Sequence, residues 1–320
     1  MKKITAILIS AVIIISSLCG CTSAPAEDSG KIKVISTIFP YYDFARAVCG
    51  DKAEVSMLVS PASEIHSFDP SPSDMIAIQE CDIFLYTGGE NDVWIDKILE
   101  SMDSDVRAIK LMDTVELSEE KLAEGMEHDH DDNHDDNHDH DHDEISYDDH
   151  IWTSPLNAIT ITEVITDALC EVDNENAEIY RTNCKAYTDE IKRVDEEILQ
   201  ITTAAENKTL VFGDRFPMLY FTERYGLDYR AAFEGCSTET DCSAATMAYL
   251  IDYIGENDIK TVYTIENSNQ NIARALNEQT GAEILTIQSC QSISKEDFEN
   301  GETYVSLMER NADALRKGLN

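Results

Sequence analysis

Only two of the eight histidines lie outside an acidic tract, and both stand beside predicted elements of regular structure. His66 lies just past the carboxyl end of a predicted strand, and His150 lies just before a predicted helix. The carboxyl ends of parallel strands are where α/β folds place ligands. Imidazoles serve as proton-transfer groups and as metal ligands. A chain that uses ordered histidine so sparingly, each time at the mouth of a loop, favours a paired role for these two residues.

The second half of the chain offers two carboxylates in comparable positions. Asp214 follows the apolar run 210–213, and Glu266 follows the run 262–265. Asp214 is equally well explained as an N-cap of the helix predicted after it, and Glu266 as a solvated turn residue. From spacing alone, a functional and a purely structural role stay open for both.

Strands and helices alternate along both halves of the chain, which is typical of βαβ units with mostly parallel sheets. The predicted strands are 32–39, 55–59, 82–86, 106–111, 209–213, 228–233, 260–265 and 282–289. The predicted helices are 40–49, 73–80, 92–102, 156–171, 216–225, 243–257, 269–279 and 304–319. Residues 175–203 carry apolar side chains at helical spacing. A helix of this length would extend about 45 Å, which is longer than a single lobe requires.

The fold class predicted from this pattern is α/β, with two βα lobes joined by a long helical strut and a site in the cleft between them. We assign residues 32–172 to the N-terminal lobe, 173–203 to the linking helix and 204–320 to the C-terminal lobe. In the C-terminal lobe we expect Cys290 to form a disulfide with Cys242 or Cys236.

The charge balance excludes several classes of protein. Lys and Arg total 24 against 63 Asp and Glu, so the formal net charge is −39. A surface this acidic repels phosphate backbones, which argues against nucleic-acid binding. The sequence contains no GxxxxGK[ST] loop and its nine cysteines include no CxxC motif, which argues against P-loop hydrolases, zinc ribbons and thioredoxins.

The N-terminus predicts export and a lipid anchor. Lys2 and Lys3 precede the apolar stretch 4–18, which is too short to span a bilayer and matches a secretory signal. The sequence Leu18-Cys-Gly-Cys21 resembles a bacterial lipobox with Cys21 as the acylated residue. We therefore predict a signal peptide at 1–20, a tether at 21–31 and an extracytoplasmic protein held at the cell membrane by lipid.

Residues 126–149 form a tract that has no apolar period and no Lys or Arg, which predicts a disordered loop. The tract contains twelve acidic residues and the histidines His128, His130, His134, His138, His140 and His142. Acidic residues alone would make the loop soluble, so the six imidazoles favour metal capture at auxiliary, low-affinity sites.

Several motifs together resemble the metal-specific solute-binding proteins of bacterial ABC importers, in the zinc/manganese class, and they extend over nearly all of the chain that follows the tether. The motifs are His66-x-x-x-Pro70-Ser-Pro72-Ser-Asp74, Tyr86-Thr-Gly88-Gly89-x-x-x-Val-Trp94, Asp149-His150-Ile-Trp152-x-Ser-Pro155, the segment 212–226, Tyr263-Thr-Ile265-Glu266 and Tyr304-x-x-Leu-Met308-x-x-Asn311-x-x-x-Leu315.

The resemblance implies that His66, His150, Asp214 and Glu266 are the metal ligands. Many zinc-type members carry a third histidine at the position of Asp214, and two imidazoles with two carboxylates are typical of manganese-type members. The histidine tract, however, sits where zinc-type members carry theirs. Sites built from N and O ligands bind Zn²⁺ more tightly than Mn²⁺. We therefore expect Zn²⁺, with Mn²⁺ as the alternative.

The same resemblance implies a monomeric binding protein that delivers its metal to an ABC permease, rather than an enzyme. A metal-dependent hydrolase using the same ligands is one alternative, but four protein ligands would close a tetrahedral site, and the sequence has no HExxH motif. An adhesin-like surface lipoprotein is another.

Overall fold

Two four-stranded parallel sheets with the same strand order organise the chain. The computed structural model describes residues 30–63, 68–89, 92–101, 106–120, 146–235 and 242–319. The sheets have the orders β2-β1-β3-β4 and β6-β5-β7-β8, with every neighbouring pair parallel. The strands are β1 (Ile32–Ser36), β2 (Ala53–Met57), β3 (Ile83–Tyr86), β4 (Arg107–Lys110), β5 (Thr209–Phe216), β6 (Asp228–Glu234), β7 (Thr261–Thr264) and β8 (Glu283–Thr286). The α/β fold with two parallel lobes predicted from the sequence is confirmed.

Local sequence signals explain where many of the helices begin and end. Pro72 occupies the first turn of its helix, where Ser71 and Asp74 form a capping box. Gly281 ends a helix in the left-handed conformation. The helices are α1 (Phe39–Cys49), α2 (Pro72–Glu80), α3 (Val93–Ser101), α4 (Pro155–Val172), α5 (Ala177–Ala204), α6 (Leu219–Tyr225), α7 (Ala244–Glu256), α8 (Asn271–Thr280), α9 (Lys295–Glu299) and α10 (Tyr304–Gly318).

Helix α5 is the predicted strut. Its 28 residues extend about 42 Å. One face buries residues at helical spacing, among them Tyr180, Tyr187, Ile191 and Ile198. The helix packs against α1 and α4 of the first half and against α10 of the second. The largest buried cluster correspondingly contains side chains of both sheets and of the strut.

The structure corrects the boundary between β5 and the helix after it. The sequence predicts a strand at 209–213 and a helix at 216–225, whereas β5 continues to Phe216 and α6 begins at Leu219. The β5–β6 pairing shifts register between Phe212 and Arg215, so β5 contains a bulge and then pairs again. Asp214 lies in this bulge.

The C-terminal boundary of the predicted disordered tract is also wrong. Residues 121–145, with the six tract histidines, lie outside the described residues, but 146–149 are ordered. Glu119 and Tyr147 form an antiparallel bridge, the amide of Glu120 donates to the carbonyl of Ser146 at 2.9 Å, and Asp148 is buried. We call this pair of short segments, 118–120 and 146–148, the stem.

Cys290 forms no disulfide with any cysteine that the structure describes, so its predicted pairing with Cys242 is wrong. Its thiol is free and buried, and it lies in the largest core cluster, whereas Cys242 packs against a separate cluster formed by α7, α8 and their strands. The two cysteines therefore face different cores. Cys236 lies outside the described residues.

Among the described helices, none has both the length and the apolar character needed to cross a membrane. The predicted signal peptide and Cys21 lie outside the described residues.

Candidate metal site

The imidazole of His150 is fully buried, and two carboxylates hold one of its nitrogens. Nδ1 lies 3.2 Å from an oxygen of Asp148 and 3.3 Å from an oxygen of Asp149. The backbone amide of His150 donates to the same oxygen of Asp148 at 2.8 Å. Carboxylates at Nδ1 favour the tautomer in which Nδ1 carries the proton and Nε2 holds the lone pair.

The other nitrogen, Nε2, is buried and has no hydrogen-bond partner among the described residues. Buried polar atoms in folded proteins are almost always satisfied, so an orphan of this kind calls for an explanation. An imidazole with a carboxylate on one nitrogen and an open lone pair on the other has the arrangement of a metal-ligating histidine. Burial opposes protonation, but Asp148 and Asp149 outweigh it and raise the pKa of His150 to about 9. In the metal-free protein at neutral pH, Nε2 therefore carries a proton, and a metal ion has to displace this proton before it can use the lone pair.

Glu266 comes two residues after β7 and is half-buried, with both carboxylate oxygens held by one serine. The amide of Ser289 donates to Oε2 at 2.6 Å, and its hydroxyl donates to Oε1 at 2.5 Å. Burial raises the pKa of Glu266, and these hydrogen bonds oppose the increase. The simpler explanation of Glu266 as a solvated turn residue is therefore wrong.

Asp214 points from the β5 bulge toward the end of β7. Its Oδ1 accepts from the amide of Arg215 at 2.9 Å, and its Oδ2 accepts from the amide of Ile265 at 3.4 Å. Helix α6 has Met218 at its N-cap, without a side-chain cap. The alternative in which Asp214 caps this helix is therefore wrong. Its carboxylate instead binds the amide of Ile265, the residue directly before Glu266.

The sequence around Asp214 also explains how β5 reaches this place. A Cβ atom added to Gly213 would lie 2.6 Å from the Cα of Ala273 in α8, so only glycine permits this approach of helix and strand.

A cavity of about 130 Å³ separates Glu266 from the loop that leads to His66. The amide of Ala62 in this loop donates to the carbonyl of Ile293 at 2.8 Å, which ties the loop to the second lobe. Residues of both lobes line the cavity, among them Val59, Ala62, Ser63, Arg215, Glu266 and Ser289. The cavity therefore lies between the lobes at the carboxyl ends of strands, as the sequence predicted for the site.

The four predicted ligands are only partly brought together. Asp214 and Glu266 lie at one strand edge, and a Cβ on Gly235 after β6 would lie 3.2 Å from Cε1 of His150, so the second lobe also reaches that imidazole. Within the described ranges, no three His, Cys, Asp or Glu side chains form a group that could hold a metal ion. His66 lies outside the described residues, so the complete ligand set stays a prediction.

Sequence reasoning missed the residues that hold the ligands. The sequence pattern places Asp148 in the disordered tract and Ser289 at the end of a strand, whereas in the structure Asp148 binds His150 and Ser289 binds Glu266. Trp152 was recognised only as part of a motif, yet its indole Nε1 donates to the carbonyl of Ser289 at 2.8 Å. A Trp two residues after a candidate ligand was a usable signal, whereas nothing in the sequence linked Ser289 to Glu266.

Comparisons with known proteins identify the family of the chain. The family model of the periplasmic zinc-uptake complex component A, ZnuA, matches residues 34–318. The high-affinity zinc uptake system protein ZnuA of Bacillus subtilis is 31% identical over 324 residues, covering 98% of this chain and 96% of that protein. The zinc-binding lipoprotein AdcA of Streptococcus pneumoniae is 30% identical over 318 residues, and the chain spans 61% of its length.

Solved structures share the two-lobed fold. The Zn(II)-bound ZnuA-like domain of Streptococcus pneumoniae AdcA has a TM-score of 0.73 and 29% identity, with 91% of this chain and 99% of that domain covered. The two-lobed α/β architecture with parallel sheets is thus a known fold, and the chain belongs to the ZnuA family.

Proposed function

We propose that this protein binds Zn²⁺ between its two lobes and delivers it to the membrane permease of an ABC importer. The observation that carries the proposal is His150, whose Nε2 is buried and unpartnered among the described residues while Asp148 and Asp149 hold Nδ1. The names of the relatives, a zinc uptake protein and a zinc-binding lipoprotein, support the same conclusion.

In this proposal the ligands are His66 and His150 from the first lobe and Asp214 and Glu266 from the second. Two imidazoles and two monodentate carboxylates satisfy the tetrahedral geometry of Zn²⁺. The four groups leave no open position for a reacting water, so we propose a carrier and not a hydrolase. Mn²⁺ prefers more oxygen ligands and binds N/O sites more weakly, which makes zinc the favoured cargo.

We also propose the location and the partners that the sequence predicts. Acylation of Cys21 holds the protein outside the cytoplasm at the cell membrane, where it acts as a monomer beside the permease. The strongly acidic surface suits a protein that attracts cations.

A competition titration against a chromogenic zinc chelator tests the proposal. The purified protein is expected to take up one tightly bound Zn²⁺ and to bind Mn²⁺ more weakly. The variants His150→Ala and Glu266→Gln should each lose at least about tenfold in zinc affinity, since removal of outer-shell partners alone costs about 10–100-fold. Glu256→Gln, at an exposed carboxylate of α7, is the matched control and should bind like the wild type. Wild-type affinity in His150→Ala would contradict the proposal.

A further inference from the structure

We propose that Ser289 and Trp152 are positioning residues that hold two zinc ligands from opposite lobes in a fixed relation before the metal arrives. This inference rests on the proposed function. We call the series His150, Trp152, Ser289 and Glu266 the cross-lobe relay.

At one end of the relay, Ser289 fixes the carboxylate of Glu266. Its amide and its hydroxyl each hold a different oxygen, at 2.6 and 2.5 Å, and the amide of Ser292 reaches Oε1 at 3.5 Å. An ionised carboxylate has about four lone-pair sites, so the group keeps acceptor capacity for a metal. Ser289 therefore fixes the orientation of the Glu266 carboxylate and still leaves acceptor capacity on it for a metal ion.

At the other end, the carbonyl of Ser289 accepts the indole N–H of Trp152 at 2.8 Å. Trp152 follows His150 by two residues, and the two rings form a T-shaped contact with centroids 5.4 Å apart. The hydroxyl of Tyr304 donates to the carbonyl of Trp152 at 2.8 Å. A single residue of the second lobe thus binds Glu266 with its donors and the segment that carries His150 with its acceptor.

The surroundings of the relay leave it little freedom. Trp152 and Ser289 are 1% and 2% exposed. Cys290, the next residue, adopts φ of +62°, a backbone conformation that residues other than glycine rarely take. Such a conformation persists where the surrounding structure enforces it, and it is enriched at ligand sites. Here it accompanies the turn that brings both donors of Ser289 to one carboxylate.

For zinc binding, the consequence is that Trp152 and Ser289, the residues that hold the two ligands, already link the lobes before the metal arrives. Glu266 is already ordered relative to His150 in the metal-free protein, so metal binding does not have to supply the free energy of ordering these side chains. Loosening either link should lower zinc affinity although neither Ser289 nor Trp152 touches the metal.

The test uses full-length protein and two variants that each remove one hydrogen-bond donor. Ser289→Ala removes the hydroxyl bound to Glu266, and Trp152→Phe removes the indole N–H bound to Ser289. Each is expected to lower zinc affinity by about 10–100-fold, as loss of outer-shell partners does. The double variant should lose less than the product of the two single losses, because both act through one carboxylate. Ser294→Ala removes the N-cap of α9 in the same segment without touching Glu266, and should bind zinc like the wild type.

A spectroscopic readout separates positioning from general destabilisation. With Co²⁺ in place of Zn²⁺, Ser289→Ala should shift the visible ligand-field bands, and Ser294→Ala should leave them unchanged. Zinc affinity of Ser289→Ala and Trp152→Phe within twofold of the wild type, with unchanged cobalt bands, would overturn the relay alone. A wild-type protein that fails to bind zinc would instead remove the proposed function, and the relay with it. If Ser289→Ala fails to fold, Trp152→Phe decides by the same criteria.

Discussion

The two ring nitrogens of His150 have opposite surroundings, and this asymmetry suits the residue to bind a metal ion through Nε2. Asp148 and Asp149 surround Nδ1, and the buried Nε2 has no hydrogen-bond partner among the described residues. A histidine held only by packing would leave its tautomer undefined. Here the neighbouring carboxylates define it, and they come from the two residues directly before it in the chain.

Asp214 is the predicted ligand whose role most needs a direct test, since its oxygens also accept backbone hydrogen bonds. Asp214→Asn keeps an acceptor for one of these two amides but removes the charge. If Asp214 binds the metal, Asn and Ala should both lower zinc affinity by at least about tenfold. The measurement is chelator competition, with Asp228→Asn, an exposed carboxylate at the start of β6, as the control. A loss in Asp214→Ala alone would assign the residue to holding the end of β7.

Asp92 allows a prediction about pH and stability. This carboxyl is buried, it accepts the amide of Gly88 at 2.9 Å, and burial raises its pKa from 3.8 to about 6. Between these two pH values the folded protein binds the proton more tightly than the unfolded chain does. The contribution of Asp92 to stability is therefore largest below about pH 4 and is lost as pH rises to about 6.

Asp92→Asn removes this dependence and keeps an acceptor for Gly88. Relative to the wild type, the metal-free variant should gain roughly 2–3 kcal/mol in the free energy of unfolding between pH 4 and pH 7. Urea unfolding at both pH values measures the difference. Glu100→Gln, at an exposed position of α3, should show no such gain. Equal differences from wild type at both pH values would contradict the assigned pKa.

At the scale of the elements, the sequence predicts the helices and strands that carry a local pattern of apolar residues over many positions. Helix α5 was found because its apolar residues recur over 28 positions. The last three residues of β5 were missed because they depend on pairing with β6 beyond a bulge, which no local pattern indicates. Helix α9 was missed because five residues carry too little periodicity. The same limit applies to Ser289, whose role depends on a contact 23 residues away along the chain.

A partly buried ion pair joins the strut to α6, and we expect it to contribute to the stability of the fold but not to metal binding. Nε and a terminal nitrogen of Arg224 donate to the two oxygens of Asp195 at 2.9 and 2.6 Å, and the hydroxyl of Tyr225 donates at 2.9 Å. Asp195→Ala leaves the partly exposed guanidinium of Arg224 and the hydroxyl of Tyr225 without this acceptor and should destabilise the protein by about 2 kcal/mol. Zinc affinity should stay unchanged.

The exposed pair between Asp189 and Lys185 lies on the same helix and supplies the control. Asp189→Ala should leave the urea midpoint unchanged, because exposed ion pairs contribute little. Equal effects of the two substitutions would show that burial of the Asp195 pair does not determine its contribution.

At the scale of the whole molecule, the stem lies between the histidine tract and His150 in the chain, and so connects the tract to the proposed metal site. Residues 118–120 and 146–148 pair as a short antiparallel ladder, and His150 follows two residues later. The hydroxyl of Tyr220 in α6 donates to the carbonyl of Asp148 at 2.8 Å, which ties the stem to the second lobe. Metal held weakly by the tract would therefore stay close to the site, which raises its local concentration there.

This arrangement predicts that the tract can be removed without harm to the tight site. Replacing residues 121–145 with Asn-Gly should close the stem as a two-residue hairpin, since that dipeptide suits such turns. The shortened protein should keep its urea midpoint and one tightly bound zinc ion, and it should lose the additional, weaker zinc detected by equilibrium dialysis. A full-length control with the six tract histidines changed to Asn keeps the length and the negative charge. It should lose the weak zinc equally, because we expect the imidazoles, and not the carboxylates, to bind that zinc. Retention of weak zinc in the control would assign it to the carboxylates, whereas a tight site weakened more than tenfold in both proteins would mean that a tract histidine completes the ligand set.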